Sequence, residues 1–370
     1  MDVARLTRDA LRPFVAHHPR LKNWLIERGR GLDALRHAAS VVVPTLVRPR
    51  TRNLTIAVTA RCNLRCMGCR YGRDFMLAQQ LPLEVVRDLL DDAADAGVET
   101  IRLYGGEPLL HEDLPAMVEH AVARGLSPYV TTNATLLERR IDDLFRAGLR
   151  TITVGFYGTD EAYDAYTGNA RGFAQMERGV AAVRERHGDA VRLRLNWLLM
   201  RPTANNASLD AALDFARRYQ APIQIDLIHY SLPYFTEGPD RCLQFRPEDE
   251  ATLRAIAERL LVVQREEPWL LEHSTIGLRA IPDWLLRGRD MRVPCDKYDM
   301  LWIGADGSVQ LCYVTFPLGN LHRQRLSTIL GSPEHVAAAR AAFRLACPNC
   351  HCGYDSRTQK HLTSRWRYGR

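Results

Sequence analysis

Three cysteines define the chemistry this chain is equipped for. Cys62, Cys66 and Cys69 stand in the run Thr59-Ala60-Arg61-Cys62-Asn63-Leu64-Arg65-Cys66-Met67-Gly68-Cys69, a C-x3-C-x2-C spacing. The run directly follows the strand-like stretch Leu54-Thr55-Ile56-Ala57-Val58-Thr59. Three thiolates on one short loop can hold three irons of a cubane cluster and leave the fourth iron without a protein ligand. Ferredoxins, which only move electrons, supply four cysteines. An open iron therefore asks for a ligand from outside the chain. Zinc is the competing metal, but it prefers four closed ligands in paired C-x2-C spacings. Its fourth ligand would have to come from elsewhere, the next histidine being His111.

A second motif, Tyr104-Gly105-Gly106-Glu107-Pro108, ends the next strand-like segment. Glycines let backbone approach a ligand closely, and a carboxylate accepts from an ammonium. The cysteine run and this GGEP, one strand apart, resemble the signature of the radical SAM superfamily. The resemblance implies that the amine and carboxylate of S-adenosylmethionine bind the open iron of a [4Fe–4S] cluster. Electron transfer would then break the sulfonium, and a 5′-deoxyadenosyl radical would abstract hydrogen from a substrate. It further implies a cofactor site at Gly105, Gly106, Glu107 and Pro108, with Glu107 on the methionine amine. Thr131-Thr132-Asn133-Ala134 is similar to the family's TNG-like segment and adds Asn133; such an Asn also serves as a helix cap or turn residue. Arg171, Arg194 and Asn196 complete the cofactor-binding candidates. Arg194 and Asn196 are two apart on one strand and share a face. Relatives of the SPASM/twitch type often carry a serine where Gly155 stands and an aromatic residue where Gly68 stands. Tyr163-Asp164 and Thr167-Gly168 sit where those relatives have an HD…(R/T)G segment.

Five further cysteines, Cys295, Cys312, Cys347, Cys350 and Cys352, lie near the C-terminus. Asp306-Gly307 marks a hairpin between Met300–Ile303 and Val309–Cys312. The C-x11-G-x4-C pattern from Cys295 to Cys312 resembles the opening of SPASM and twitch domains, and Cys347 with Cys350 closes a four-thiolate set. The resemblance implies one auxiliary [4Fe–4S] cluster; zinc is the other reading of paired thiolates. Cys352 is an alternative ligand, a spare, or a proton donor. Cys242 fits neither set by spacing; it is a candidate hydrogen donor, or an ordinary buried thiol. His229, Tyr230, Tyr234 and Phe235 are candidate pocket residues, or a packed aromatic wall.

The elements that position these residues alternate. Strand-like segments at Leu54–Thr59, Thr100–Tyr104, Pro128–Thr132, Thr151–Phe156, Val191–Met200 and Ile223–Ile228 are separated by helix-like ones at Leu83–Ala96, Leu114–Arg124, Leu137–Ala147, Phe173–Arg186 and Leu209–Tyr219. Such alternation predicts parallel βαβ units and an α/β fold. Spacing alone admits an open doubly wound sheet; the resemblance implies a partial (β/α)6 barrel with a small C-terminal twitch-like domain. In either fold the site lies at the carboxyl ends of the strands. The expected divisions are a basic helical arm at 1–52, the barrel at 53–235 and a helical linker at 236–290. A cysteine domain follows at 291–355, then a loosely held basic tail at 356–370.

Composition narrows the class. Among 370 residues there is no apolar run of 18, and no secretory signal follows Met1, so a cytoplasmic protein is expected. Nine cysteines in such a chain argue for metal rather than disulfides. The net charge of +7 resides in residues 1–52, with eleven Lys/Arg against four acids. This arm packs as amphipathic helix, or touches an anionic surface or acidic partner. No nucleic acid is expected. The predicted activity is radical-initiated net oxidation of a small natural-product or metabolite substrate, with a flavodoxin- or ferredoxin-type electron donor. A peptide-modifying maturase that crosslinks or epimerises is the alternative. A non-enzymatic iron–sulfur carrier or sensor is the alternative from another class, against which the open iron and GGEP speak.

Overall fold

The computed structural model describes residues 19–229, 242–312 and 315–369, with side chains at residue 29 and from 31 onward. Tyr230, Tyr234 and Phe235, and the turn expected at Pro233, Gly238 and Pro239, lie outside the described residues.

Helix α1 (Pro19–Val42) precedes six β/α units. Strands β1 (Asn53–Thr59), β2 (Thr100–Gly105), β3 (Ser127–Thr132), β4 (Thr151–Phe156), β5 (Arg192–Leu199) and β6 (Ile223–Leu227) alternate with helices. The helices are α2 (Leu83–Asp95), α3 (Leu114–Ala123), α4 (Leu137–Arg146), α5 (Asp160–Thr167), α6 (Gly172–His187) and α7 (Asn206–Arg218). The periodicity explains them: α2 buries Val86, Leu89, Leu90 and Ala93, a single stripe at helical spacing. Strand β5 alternates, with Leu193, Leu195, Trp197 and Leu199 buried and Arg194, Asn196 and Leu198 partly open on the other face.

The strand order is β6-β5-β4-β3-β2-β1-β7-β8-β9, with β1 to β6 parallel. Sequential order with every crossover stepping the same way puts the helices on one face, because such crossovers are right-handed. A doubly wound sheet would reverse its order. The expected partial barrel is therefore the fold, left open rather than closed.

Strands β7 (Met300–Ile303), β8 (Ser308–Cys312) and β9 (Thr315–Asn320) form an antiparallel meander. They do not make a sheet of their own. Strand β7 pairs in parallel with β1, from Asn53↔Met300 to Ile56↔Ile303, and extends the barrel sheet. Helices α8 (Glu250–Glu266) and α9 (Thr275–Arg287) pack on each other with Leu253, Ile256, Leu260, Ile281 and Trp284 buried, so the helical segment expected as a linker carries core from residue 250 onward. After α10 (Leu326–Ile329) and α11 (Pro333–Phe343), the tail forms α12 (Tyr354–Lys360) and α13 (Leu362–Tyr368). The expectation of a loose tail is corrected: Arg357, Thr358 and Tyr368 are buried, Tyr368 Oη donates to Asp283, and Arg367 pairs with Asp283 at 2.8 Å. Helix α1 packs on α12 and α13 through Ala34, His37 and Ser40, with His37 edge-on to Phe343 at 5.0 Å.

Candidate active site

Cys62, Cys66 and Cys69 border a cavity at the carboxyl ends of the strands, together with Gly105, Gly106, Thr132, Asn133, Gly155 and Asn196. The cysteine loop is pinned from several sides. Arg65 N donates to Thr167 O (3.0 Å) and Met67 N to Tyr166 O (2.8 Å), both at the end of α5. Arg73 donates to the carbonyls of Cys66 and Cys69. Asn133 Nδ2 donates to Asn63 Oδ1 (3.0 Å), and Asn63 Nδ2 to Thr135 Oγ1 (2.8 Å), so the loop is tied to the end of β3.

The two glycines of GGEP serve the protein's own packing. A Cβ on Gly105 would lie 2.1 Å from the Thr59 carbonyl oxygen, and one on Gly106 would lie 2.3 Å from that of Arg61. Without side chains, this segment docks against the backbone entering the cysteine loop, with Gly106 N donating to Thr59 O (2.7 Å) and Glu107 N to Arg61 O (2.8 Å).

Glu107 is fully buried, behind the cavity wall. Its carboxylate accepts from Thr132 Oγ1 (2.7 Å), Asn133 N (2.8 Å) and Leu109 N (3.0 Å). Burial pushes its carboxyl up to about 7, with these three donors pulling the other way. Here it holds Thr132 and Asn133, which do face the cavity.

Of the expected cofactor-binding residues, Gly105, Gly106, Asn133 and Asn196 thus line the cavity. Among the described residues, Glu107, Pro108, Arg171 and Arg194 do not. Arg171 is exposed ahead of α6. Arg194 shares the concave face with Asn196 as expected, but two residues deeper it pairs with Glu272 at 2.7 Å. Cys242 is exposed and off the wall; it is not the buried thiol of the plain reading. The space beside Gly68 is taken by Leu243 and Tyr166, 3.1 and 3.2 Å from where a Cβ would stand.

Sequence reasoning missed Arg102, Thr131, Tyr157, Tyr166 and Asp226, all on the wall. Polar residues alternating within parallel strands, as in Ile101-Arg102-Leu103 and Ile225-Asp226-Leu227, carried the signal for two of them. Tyr157 folds back so that its hydroxyl lies 2.6 Å from the Cβ position of Gly155, and its ring packs on Tyr166 at 4.6 Å. A phenol thus stands where the relatives' serine would.

The second cysteine set lies across the open side of the half barrel. Cys295 lies in the segment leading into β7, and Cys312 ends β8. The loop bearing Cys347, Cys350 and Cys352 leads into α12, where Tyr354 Oη donates to Ile225 O of edge strand β6 (3.4 Å). The Cys352 thiol donates to the Cys350 sulfur, which holds Cys350 toward thiolate and lifts Cys352. Cys350 is also within electrostatic reach of Cys295, and Cys352 of Cys312. Asp226 and His229 of the cavity wall in turn act on Cys352 and Cys350.

Both sets suit iron–sulfur clusters. Burial lifts the Cys66 thiol well above its ordinary range, and the neighbouring thiols of Cys69 and Cys62 add to the shift. Three thiolates side by side require cations, which cluster irons supply. Among the described residues no three His, Cys, Asp or Glu side chains gather about one point as ligands of a single ion would.

Known proteins give the same picture. The pattern of the radical SAM superfamily matches residues 56–216, and that of the SPASM iron–sulfur cluster-binding domain matches residues 295–352. The GTP 3′,8-cyclase of Rhodococcus opacus is 30% identical over 279 residues, 70% of this chain and 74% of that protein. The same enzyme of Chlorobaculum tepidum is 34% identical over 172 residues, 46% and 51% of the two chains. The Fe-coproporphyrin III synthase of Methanosarcina barkeri is 33% identical over 183 residues, 49% and 44% of the two. The chain thus spans about half the length of these last two relatives. Among solved structures, anSMEcpe with bound AdoMet superposes with a TM-score of 0.61 at 17% identity, over 79% of this chain and 80% of that one. Streptococcus suis SuiB bound to its precursor peptide SuiA superposes at 0.61 with 16% identity, over 82% and 70%; both likenesses concern the fold. With its open three-cysteine loop, its half barrel and these matches, the chain belongs to the radical SAM superfamily and carries a SPASM-type iron–sulfur cluster-binding region.

Proposed function

We propose that this radical SAM enzyme removes hydrogen from a C–H bond of a small polar metabolite and completes a net two-electron oxidation. One observation carries the reading. The cavity that receives Cys62, Cys66 and Cys69 is also walled by Asp226 and His229, which act on the second cysteine set. A substrate held there would lie beside the first set and next to residues within electrostatic reach of the second.

Cys62, Cys66 and Cys69 would hold the cluster that binds S-adenosylmethionine. Cys295, Cys312, Cys347 and Cys350 would hold the auxiliary one, with Cys352 as alternative ligand. The bound cofactors supply the 5′-deoxyadenosyl radical and an acceptor for one electron. In the overall change the substrate would give up the C–H hydrogen to 5′-deoxyadenosine, one electron to that acceptor, and the proton of the neighbouring O–H or N–H. Asp226, half-buried on the wall, is placed to take that proton and to orient the group bearing it. Arg102, which donates to Thr131 Oγ1 at 2.9 Å, and Asn196 offer hydrogen bonds from neighbouring strands. Tyr157, Tyr166 and Leu198 exclude water. A flavodoxin- or ferredoxin-type protein is the electron donor of this reading.

The relatives named GTP 3′,8-cyclase make nucleotides the first compounds to try. The described wall mixes Arg102 and His229 with the carboxylate of Asp226, which favours a neutral or zwitterionic substrate over a triphosphate. Outside the site, the solvent face of α1, with Leu32, Leu35 and Val42 exposed in an arginine-rich arm, suits an anionic lipid surface.

The test is anaerobic turnover of the reduced, reconstituted enzyme against nucleotides, amino sugars and short peptides. The expected product has lost two hydrogens, with one 5′-deoxyadenosine per product. Cys62→Ala/Cys66→Ala/Cys69→Ala should form no 5′-deoxyadenosine. Asp226→Asn should keep S-adenosylmethionine cleavage and lower product about 100-fold. Product of unchanged mass with solvent deuterium incorporated would overturn oxidation in favour of epimerisation.

A further inference from the structure

Arg357 is a fully buried arginine, 0% exposed, in helix α12. Its N–H groups donate to neutral acceptors. Nε donates to Pro294 O (3.3 Å). Nη1 donates to Cys350 O (2.6 Å) and Cys352 O (3.5 Å), and Nη2 to Val293 O and to Asn349 Oδ1 (3.1 Å). The guanidinium lies over the Trp284 ring, 4.7 Å from its centroid. The carboxylates of flanking elements are engaged elsewhere: Asp296 with Lys360 at 2.9 Å, and Asp355 with Ser274 and Gln359. Among the described residues Arg357 forms no ion pair.

A buried cation without a counter-ion carries a desolvation cost that hydrogen bonds to neutral groups offset only in part. The five hydrogen bonds satisfy the N–H groups but leave the charge uncompensated. They also locate it. The acceptors flank Cys295 on one side and include the backbone of Cys350 and Cys352 on the other. The anion that fits this position is a four-thiolate cubane, which is negative when oxidised and gains one more negative charge on reduction. Cluster potentials respond to nearby charge, hydrogen bonding and burial.

We propose that Arg357 is the resident counter-cation of the auxiliary cluster, a positioning residue whose buried charge raises that cluster's reduction potential while its hydrogen bonds join the two segments carrying its ligands. The assignment concerns the cluster alone and holds whether or not that cluster takes the substrate's electron.

The experiment uses the full chain carrying Cys62→Ala/Cys66→Ala/Cys69→Ala, so that only the auxiliary cluster is present, reconstituted with iron and sulfide. Arg357→Gln, Arg357→Met and Arg357→Lys are compared for iron per chain and for reduction followed by electron paramagnetic resonance. At a fixed applied potential, Arg357→Gln and Arg357→Met should lower the reduced-to-oxidised ratio at least tenfold, equal to a fall of about 59 mV for one electron. Arg357→Lys, which keeps the charge and loses the fork, should stay within threefold of the parent. A Gln or Met variant that keeps its iron at the parent's potential overturns the proposal. If both fail to take up iron, Arg357→Lys decides. Parent iron content and potential in Lys support a required cation, and loss of iron in Lys as well refutes it in favour of hydrogen-bond geometry.

Discussion

Gly106 leaves no room for a methyl group, since a Cβ would meet the carbonyl oxygens of Arg61 and Ala60 at 2.3 and 2.6 Å. Those atoms are backbone and cannot swing aside. Gly106→Ala should therefore cost about 1–3 kcal/mol in stability and reduce iron uptake by the first cysteine set. Denaturant unfolding and iron analysis would check this; full stability with full iron would refute it. The same GGEP shows how far a motif is legible. Its glycines and Glu107 are readable as a family mark, yet their observed contacts are internal, to β1, β3 and the cysteine loop. A sequence does not say which side of a strand end faces a cavity, because that depends on what the neighbouring strand places there.

At the scale of elements, α1 docks through a face that buries one titratable group. His37 is buried against Phe343, and burial lowers its imidazole to about 4 from an ordinary 6.5. Between those values the unfolded chain binds more protons than the folded one, so stability rises with pH across that window and is lost as pH falls through it. The amides of Ala34–Ser40 should exchange faster as pH drops from 6.5 toward 4, after correction for intrinsic rates. His37→Gln should flatten that dependence, and an equal pH response in the variant would show that another group controls docking. The six strands and five of the helices between them were legible because apolar periodicity is local; the short α5 was not expected. The pairing of β7 with β1 and the packing of the tail were not, since both join segments far apart in sequence.

Over the whole molecule, the +7 charge and the apolar residues Leu32, Leu35 and Val42 share the N-terminal arm. No helix among the described residues is long and apolar enough to cross a membrane. The surface reading predicts sedimentation with phosphatidylglycerol vesicles and at least tenfold less with phosphatidylcholine. Binding should weaken with salt and fall at least tenfold in Leu32→Glu/Leu35→Glu/Val42→Glu. Equal partition into both vesicles, or a dimer dissolved by the same substitutions, would assign that face to another role.

The sequence by itself determined the cysteine loop, the GGEP, the β/α alternation and the second cysteine group, since each is written within a short stretch of chain. Tertiary structure decided which residues share the cavity. It put Glu107 behind the wall, paired Arg194 with Glu272, and left Arg171 and Cys242 exposed. It also brought Asp226 from the last barrel strand toward Cys352, and buried Arg357 among the carbonyls of the second cysteine set. The physical reason is one of range: thiol spacing and periodicity act over a few residues, whereas burial and electrostatic coupling depend on segments that meet only when the sheet's two edges are bridged.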